Sequence, residues 1–324
     1  MKYFKSIIIH AVLICGGLVL LFPLWWMISV SLSTPDKAQA ALGGSFTMSP
    51  AMTNLQWKNY TQALKYMGAA QTAEETLISH ESLDKPAETA EDEYPPLVVG
   101  LITGNIDPSW AGFFDALANS IFITFWTVGG TILSCSLIGY AFARIHFRGN
   151  KFLFVIMLST MMLPAQVTMI PVFLLFRSLG WVDTFLPLII PAFFGNAFFI
   201  FMFRQFFLQI PQDLLDAAKI DGAGHFGIWW RIMLPMSTPV VIITAIFTFL
   251  GVWKDFMGPL IYLHSPDKGT LALALNSFKT QFGGVDKAHL LMAASVVTMV
   301  PCVILFFVAQ RYFIRGLNIG AVKG

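Results

Sequence analysis

The chain has 324 residues, 56% of them hydrophobic and only 12% charged, with a formal net charge of +2 and a mean hydropathy of +0.70. A soluble domain of this length carries about 25% charged residues. The deficit is too large for an ordinary water-soluble core, and the apolar residues lie in long uninterrupted runs that point to lipid.

Charge is missing between Lys5 and Asp36, Asp115 and Arg144, Lys151 and Arg177, Asp183 and Arg204, Arg231 and Lys254, and Lys287 and Arg311. Each gap is about 20 residues or longer, the length a helix needs to cross a hydrocarbon core of roughly 30 Å. An all-α membrane protein with six transmembrane helices is expected. A closed barrel is the other spanning solution, but its strands alternate apolar and polar residues, and these runs do not alternate.

Residues 1–32 form the N-terminus and first span. Lys2 and Lys5 precede an apolar stretch from Ile7 to Leu32. That stretch is too long for the apolar part of a secretory signal and has no A-x-A-like cleavage site, so it reads as a retained helix. Residues 33–111 are the one large extramembrane piece, an insertion between the first two helices. Its first part, Phe46 to Met67, carries Leu55, Trp57, Tyr60, Leu64 and Tyr66 and reads as a short helical cap. The stretch Gln71 to Pro96 is rich in Ala, Glu, Thr and Pro and buries little. It reads as a solvated loop or as a docking surface for an extracytoplasmic partner.

Residues 112–324 hold the other five helices. The third span contains Pro164 and Pro171, with Gln166 and Thr168 between them, and the fourth contains Pro187, Pro191, Gly195 and Asn196. Proline frees a backbone carbonyl and kinks a helix. Polar groups at membrane depth face protein or a water-filled path. Gln166, Thr168 and Asn196 are therefore pathway candidates, with helix-to-helix hydrogen bonding as the alternative. Lys254 and Asp255, at the end of the fifth span, face apart and either snorkel or pair. The segment Leu271 to Phe282 is half apolar and is expected on the membrane surface or dipping toward the pathway. Cys15, Cys135 and Cys302 all fall inside spans without metal-ligand spacing and read as small packing residues.

Six spans put both termini on one side. That side carries 11 basic and 3 acidic residues, and the other carries 9 basic and 15 acidic. The basic excess in short loops places both termini in the cytoplasm.

The cytoplasmic loop between spans four and five, residues 211–235, is organised like a motif. Pro211 begins it, and Asp213 is placed to cap a helix. Leu214, Leu215, Ala217, Ala218 and Ile220 build a short helix with a small-residue patch. Gly222 allows a turn with φ > 0 or a close backbone approach. Phe226, Ile228, Trp229, Ile232 and Leu234 build a second helix with an apolar face. Small residues on such a knob suit insertion into a groove on a partner. The alternative is a helix lying on lipid headgroups, which the few Lys and Arg residues disfavour.

This loop resembles the EAA motif of binding-protein-dependent ABC importer permeases, E-A-A-x-x-x-G followed about nine residues later by I-x-L-P. It stands here as Asp216-Ala217-Ala218, then Asp221-Gly222-Ala223, then Ile232-Met233-Leu234-Pro235. Asp216 replaces the usual Glu and shortens its reach by one methylene. Asn119-Ser120, Met162-Leu163-Pro164, Trp253-Lys254-Asp255-Phe256 and the C-terminal Gln310-Arg311-Tyr312-Phe313 resemble the carbohydrate-uptake branch, near the maltose-type smaller permease subunit. The stretch 66–111 has no counterpart in that resemblance, and Lys254 stands where many relatives have Asn.

The resemblance implies a type I importer permease fold in the inner membrane and transport of a sugar or oligosaccharide. It implies that Asp216, Ala217, Ala218, Asp221, Gly222 and Ala223 couple to a dimeric cytoplasmic ATPase that binds ATP and Mg. A second permease chain, a different one, and an extracytoplasmic solute-binding protein complete the assembly. No cofactor, metal or nucleic acid is implied for this chain. It has no G-x-x-x-x-G-K-[ST] and so no phosphate-binding loop of its own. His10, His146, His225, His264 and His289 are scattered, Ser159 and Ser295 have no base at i ± 3 or i ± 4, and paired intramembrane carboxylates are missing. These absences argue against a metal site, an intramembrane enzyme and a proton-driven lone transporter.

Overall fold

Proline and glycine punctuate the apolar runs, and the helices begin and end at them. The computed structural model describes His10, Gly17 and residues 21–42, 55–64, 66–67, 111–282 and 287–321, without the side chains of 111, 266, 280–282 and 311–321. All regular structure among the described residues is helical. Gly112–Arg144, Leu186–Gln209 and Ala288–Gln310 are each long and apolar enough to cross a membrane. Asn150–Met162 with Ala165–Ser178, and His225–Met236 with Thr238–Trp253, are broken pairs bent by 101° and 79°. The three helices, and the two bent pairs if each is one span, fall where spans two to six are expected. Of the first, the described part is the short apolar helix Leu21–Ser31.

The helices fall into two compact units, Met1–Phe114 with Leu273–Val300, and Asp115–Ala272 with Pro301–Gly324. In the first unit, α1 (Leu21–Ser31) ends against a helix at 58–64. The last carbonyls of a helix have no partner within it. Asn59, buried, donates from Nδ2 to the carbonyls of Ser31 at 2.8 Å and Ser33 at 2.9 Å, and the Tyr60 hydroxyl meets Ser31 Oγ at 2.8 Å. Ala63 and Met67 are fully buried. The cap expected before Met67 is thus present over these residues, while Gln71 to Pro96 lies outside the described part of the chain. The segment expected on the membrane surface or dipping toward the pathway forms the regular helix Leu271–Phe282. Its Ala274 and Phe278 are buried, and the Phe278 ring meets Tyr66 edge-on at 6.3 Å.

In the second unit, α2 (Ala111–Arg144) is the long central element, packed on α5 (Ala197–Gln209). A Cβ on Gly139 would lie 2.8 Å from Phe203 Cβ and 3.2 Å from the Ile200 carbonyl, so only glycine permits this helix approach. Between them come α3 (Asn150–Ser159) and α4 (Ala165–Ser178). The residue before a proline avoids helical backbone. Leu163 is extended at φ −80, ψ 121, and the span breaks there. Pro171 sits inside α4, so Pro164 alone breaks the span, against the expectation for both.

The far turn of this unit is held by one carboxylate. Asp183 adopts φ 61, and its amide donates to the Tyr262 carbonyl at 2.7 Å. Its Oδ1 accepts from the amides of His264 at 3.0 Å and Ser265 at 2.9 Å, and its Oδ2 accepts from the Ser265 hydroxyl (2.5 Å) and Lys268 Nζ (2.8 Å). Burial pushes the Asp183 carboxyl up, but the Lys268 ammonium, the Ser265 hydroxyl and the two amides outweigh it and hold the group well below the usual carboxylate range. Nearby, Asp255 Oδ1 accepts from the Gly258 amide at 3.1 Å. Asp255 thus accepts from the first turn of the next short helix, Met257–Tyr262, while Lys254 is exposed at the end of the preceding one.

Candidate functional site

The loop between spans four and five folds as two helical pieces around one turn. α6 runs from Gln212 to Ile220 with Asp213 in its first turn and Lys219 in its last, charges that suit the helix dipole. Pro211 occupies the N-cap position, so Asp213 lies inside the helix and does not cap it as expected. At the other end Gly222 takes φ 84. Its amide donates to the Lys219 carbonyl at 3.0 Å, and the Ala223 amide donates back to the Ala218 carbonyl at 2.9 Å. This pair of bonds is the Schellman arrangement, whose left-handed residue is normally glycine.

The second piece begins as α7 (His225–Ile228), widens into a π turn over Trp229–Met233, and closes at Leu234–Met236. The expected plain helix is therefore interrupted. A π turn adds one residue to the turn, and here Trp229 and Met233 are both buried.

Burial divides the motif. Leu215 is 2% exposed and Ala218 8%, and both join a core with Tyr140, Phe203, Phe207, Ile228, Trp229 and Met233. Burying one leucine contributes about 1.5–3 kcal/mol, so this face anchors the loop to its own chain. Asp216, Ala217, Asp221 and Gly222 are exposed, Ala223 is half-buried, and Ile220 is 87% exposed. The expected pair of small residues is thus split, with Ala217 outward and Ala218 inward. A Cβ on Gly222 meets nothing within 4 Å.

Asp216 forms a local pair, with Lys219 Nζ at 2.9 Å and Gln212 Nε2 at 3.1 Å on the same Oδ1. The bond from Lys219 is the main cause holding its carboxyl below the ordinary value, with Gln212 adding to it. The shorter side chain is thus satisfied within its own helix.

Two residues whose role sequence reasoning missed tie this loop to the central helix. Arg144 ends α2. Its Nη1 donates to Gln212 Oε1 at 2.8 Å, and its Nη2 donates to the carbonyls of Phe207 (2.6 Å) and Ile210. One guanidinium thus satisfies the end of α5 and the start of α6 together. The buried Tyr140, one turn earlier, shares a hydrogen bond with His225 Nδ1 at 3.1 Å. In the sequence Arg144 counts only as a loop charge. Its position four residues after a tyrosine, at the end of an apolar run, was the available signal.

The pathway candidates separate. Gln166 and Thr168 lie exposed in the first turn of α4, just after the 101° bend. The Thr168 hydroxyl donates to the Ala165 carbonyl at 3.0 Å. Asn196 is the N-cap of α5, and its Oδ1 accepts from the amides of Phe198 (3.0 Å) and Phe199 (3.4 Å). No hydrogen bond joins the three. Cys135 is fully buried, its Sγ accepting from the Asn196 amide at 3.2 Å, while Cys302 is half-buried and Cys15 lies outside the described residues. Among the described residues no three His, Cys, Asp or Glu side chains cluster as metal ligands would.

Residues 135–319 match the family model described as "Binding-protein-dependent transport system inner membrane component". The chain is 41% identical over 212 residues to the arabinooligosaccharides transport system permease protein AraQ of Halalkalibacterium halodurans, covering 65% of this chain and 75% of that protein. It is 37% identical over 212 residues to the AraQ of Bacillus subtilis, covering 65% and 74%. With the sn-glycerol-3-phosphate transport system permease protein UgpE of Yersinia enterocolitica it shares 31% over 207 residues, covering 64% and 73%. A solved bacterial ABC transporter involved in the import of the acidic polysaccharide alginate has a chain of the same fold, with a TM-score of 0.70 at 21% identity over 96% of this chain and 97% of that one.

Proposed function

The chain belongs to the binding-protein-dependent transport system inner membrane components, transport subunits and not enzymes, and from that premise we propose that its exposed 216–223 knob is where a cytoplasmic ATPase drives it. One observation carries the reading. The Gly222 turn leaves Ala217, Ile220 and Asp221 facing solvent, while Leu215 and Ala218 lock the other face into the core. A knob so built delivers a push to the membrane helices and does not fold away from it. Asp216, Ala217, Asp221, Gly222 and Ala223 form the docking surface, and Ala218 seats it.

The full proposed topology has six membrane helices with both termini in the cytoplasm, and residues 33–111 facing outward between the first two. ATP and Mg bind the partner ATPase dimer. Closure of that dimer moves the knob, and the membrane helices alternate between inward-open and outward-open. The bent pairs at Pro164 and Ser237 supply two-part elements for such motion. Gln166, Thr168 and Asn196 are the proposed path contacts. A different permease chain forms the other half, and a solute-binding protein delivers substrate.

The relatives' printed substrates are arabinooligosaccharides and sn-glycerol-3-phosphate, and the structural neighbour serves alginate. All are rich in hydroxyl groups, which supports a sugar or oligosaccharide here. The test is to tag the chain, extract it gently from its native membrane and identify by mass spectrometry what co-purifies. An ATPase, a second permease and a solute-binding protein are expected. Recovery of this chain alone in several mild detergents, with solute flux in liposomes holding only this chain, would replace the reading with a lone transporter.

A further inference from the structure

Where α2 turns back into α3, the chain forms an open cavity of about 550 Å³, within the roughly 300–1,000 Å³ of small-molecule sites. Its lining is of two kinds. Phe142, Ile145, Phe147 and Phe152 are apolar, and Arg204, Lys151 and His146 bring basic groups. No acidic residue lines it.

Arg204 is the unusual member. It lies on α5, five residues before the helix ends at Gln209, about 7.5 Å of helix from that end. Its Nε donates to the Phe142 carbonyl at 3.4 Å, and the guanidinium lies 4.2 Å over the Phe154 ring. These contacts orient the group without neutralising it. The ion pairs formed among the described residues are Lys219 with Asp216 and Lys268 with Asp183, so neither Arg204 nor Lys151 has a carboxylate partner there. Both Nη atoms of Arg204 are without a hydrogen bond among the described residues. A guanidinium near the end of an apolar, membrane-length helix with its fork open calls for an anion, and a phosphate matches that fork.

The surroundings select which anion. Phe152, Val155 and Ile156 on α3 are exposed and run away from the cavity along the helix. A soluble phosphate makes no use of that face, whereas acyl chains do. We propose that this cavity binds the phosphodiester headgroup of an anionic phospholipid. Arg204 and Lys151 hold the phosphate, and the acyl chains lie along α3.

The test is native mass spectrometry of the whole purified transporter titrated with phosphatidylglycerol, phosphatidylcholine and inorganic phosphate. Saturable retention of phosphatidylglycerol is expected, weakened about tenfold by Arg204→Gln, the loss of one forked charged contact, and less by Lys151→Gln. Phosphatidylcholine and millimolar inorganic phosphate should fail to displace it. Lys151 is exposed, so Lys151→Gln reports on the site even where Arg204→Gln fails to assemble. Wild-type retention in a well-assembled Lys151→Gln or Arg204→Gln protein overturns the site. Displacement by inorganic phosphate shows a soluble-anion site and overturns the lipid assignment.

Discussion

Among the turns of the second unit that use a residue in the left-handed region, those at Gly222 and Asp183 are built for opposite ends. Gly222 turns at φ 84 with open space around it, and its bonds are to its own helix. Asp183 turns at φ 61 and is pinned by its amide and four side-chain contacts to the 262–268 segment. The first turn is closed by bonds within its own helix and seats only its inner side, at Ala218 and the half-buried Ala223, which leaves its outer surface free for a partner. The second spends its whole side chain on its own chain. A left-handed residue is therefore not by itself a sign of a binding surface; what surrounds it decides.

The comparison breaks first at Gly222. In Gly222→Trp the left-handed backbone costs about 1–2 kcal/mol, which a folded helix pair tolerates, but the added ring fills the docking face. Uptake in proteoliposomes holding the complete transporter should fall more than about tenfold, with the chain still monodisperse. Retained uptake would remove the knob from the mechanism. Arg144→Gln tests the anchor in place of the tip. Hydrogen bonds to a charged group contribute about 1.5–3 kcal/mol each, so the loop should loosen, seen as faster hydrogen exchange over 211–225 and as ATP hydrolysis that no longer drives uptake.

The split of the two alanines gives a paired experiment. Ala218→Leu overpacks the core and should cost about 1–3 kcal/mol, while Ala217→Leu on the exposed side should stay within about 0.5 kcal/mol and weaken only ATPase co-purification. Equal loss of thermal stability in both would mean that the two faces are not distinct.

On the other turn the expected effects are smaller. Asp183→Asn keeps an acceptor and a residue that tolerates φ > 0. It removes the charge opposite Lys268, whose pair is about one-third exposed. With that screening the loss should be about 1 kcal/mol or less, read as a lower Tm with ATPase co-purification unchanged. The pH dependence follows from the same group. Its folded pKa lies below the unfolded value, so its contribution is present above about pH 4 and drains away as pH falls further. The acid limb of a Tm profile should be shallower in Asp183→Asn than in wild type, and identical slopes would sever the clamp from stability.

Much of this was legible in the chain because the signals were local or compositional. Long charge-free runs report length against bilayer thickness, and five of the six appear as helices or bent pairs. Pro164 breaks its span because the residue before a proline avoids helical backbone, while Pro171 stays within α4, a difference that composition does not carry. Gly222 was readable because its conformation is dictated by the turn that ends α6. The local role of Asn196 was not readable in the same way: its polarity at depth pointed to a path, and the structure adds that its side chain caps α5.

The sequence by itself determined that this protein lives in lipid and which loop carries a small-residue knob around a glycine, since each depends on residues adjacent along the chain. Tertiary structure alone decided that Ala218 turns inward while Ala217 turns outward, that Arg144 joins three elements, that Asp183 pins residues some 80 positions away, and that Arg204 faces a cavity without a counter-charge. Those are facts about distant segments brought together by packing, and no local pattern of residues encodes which partner a side chain will meet.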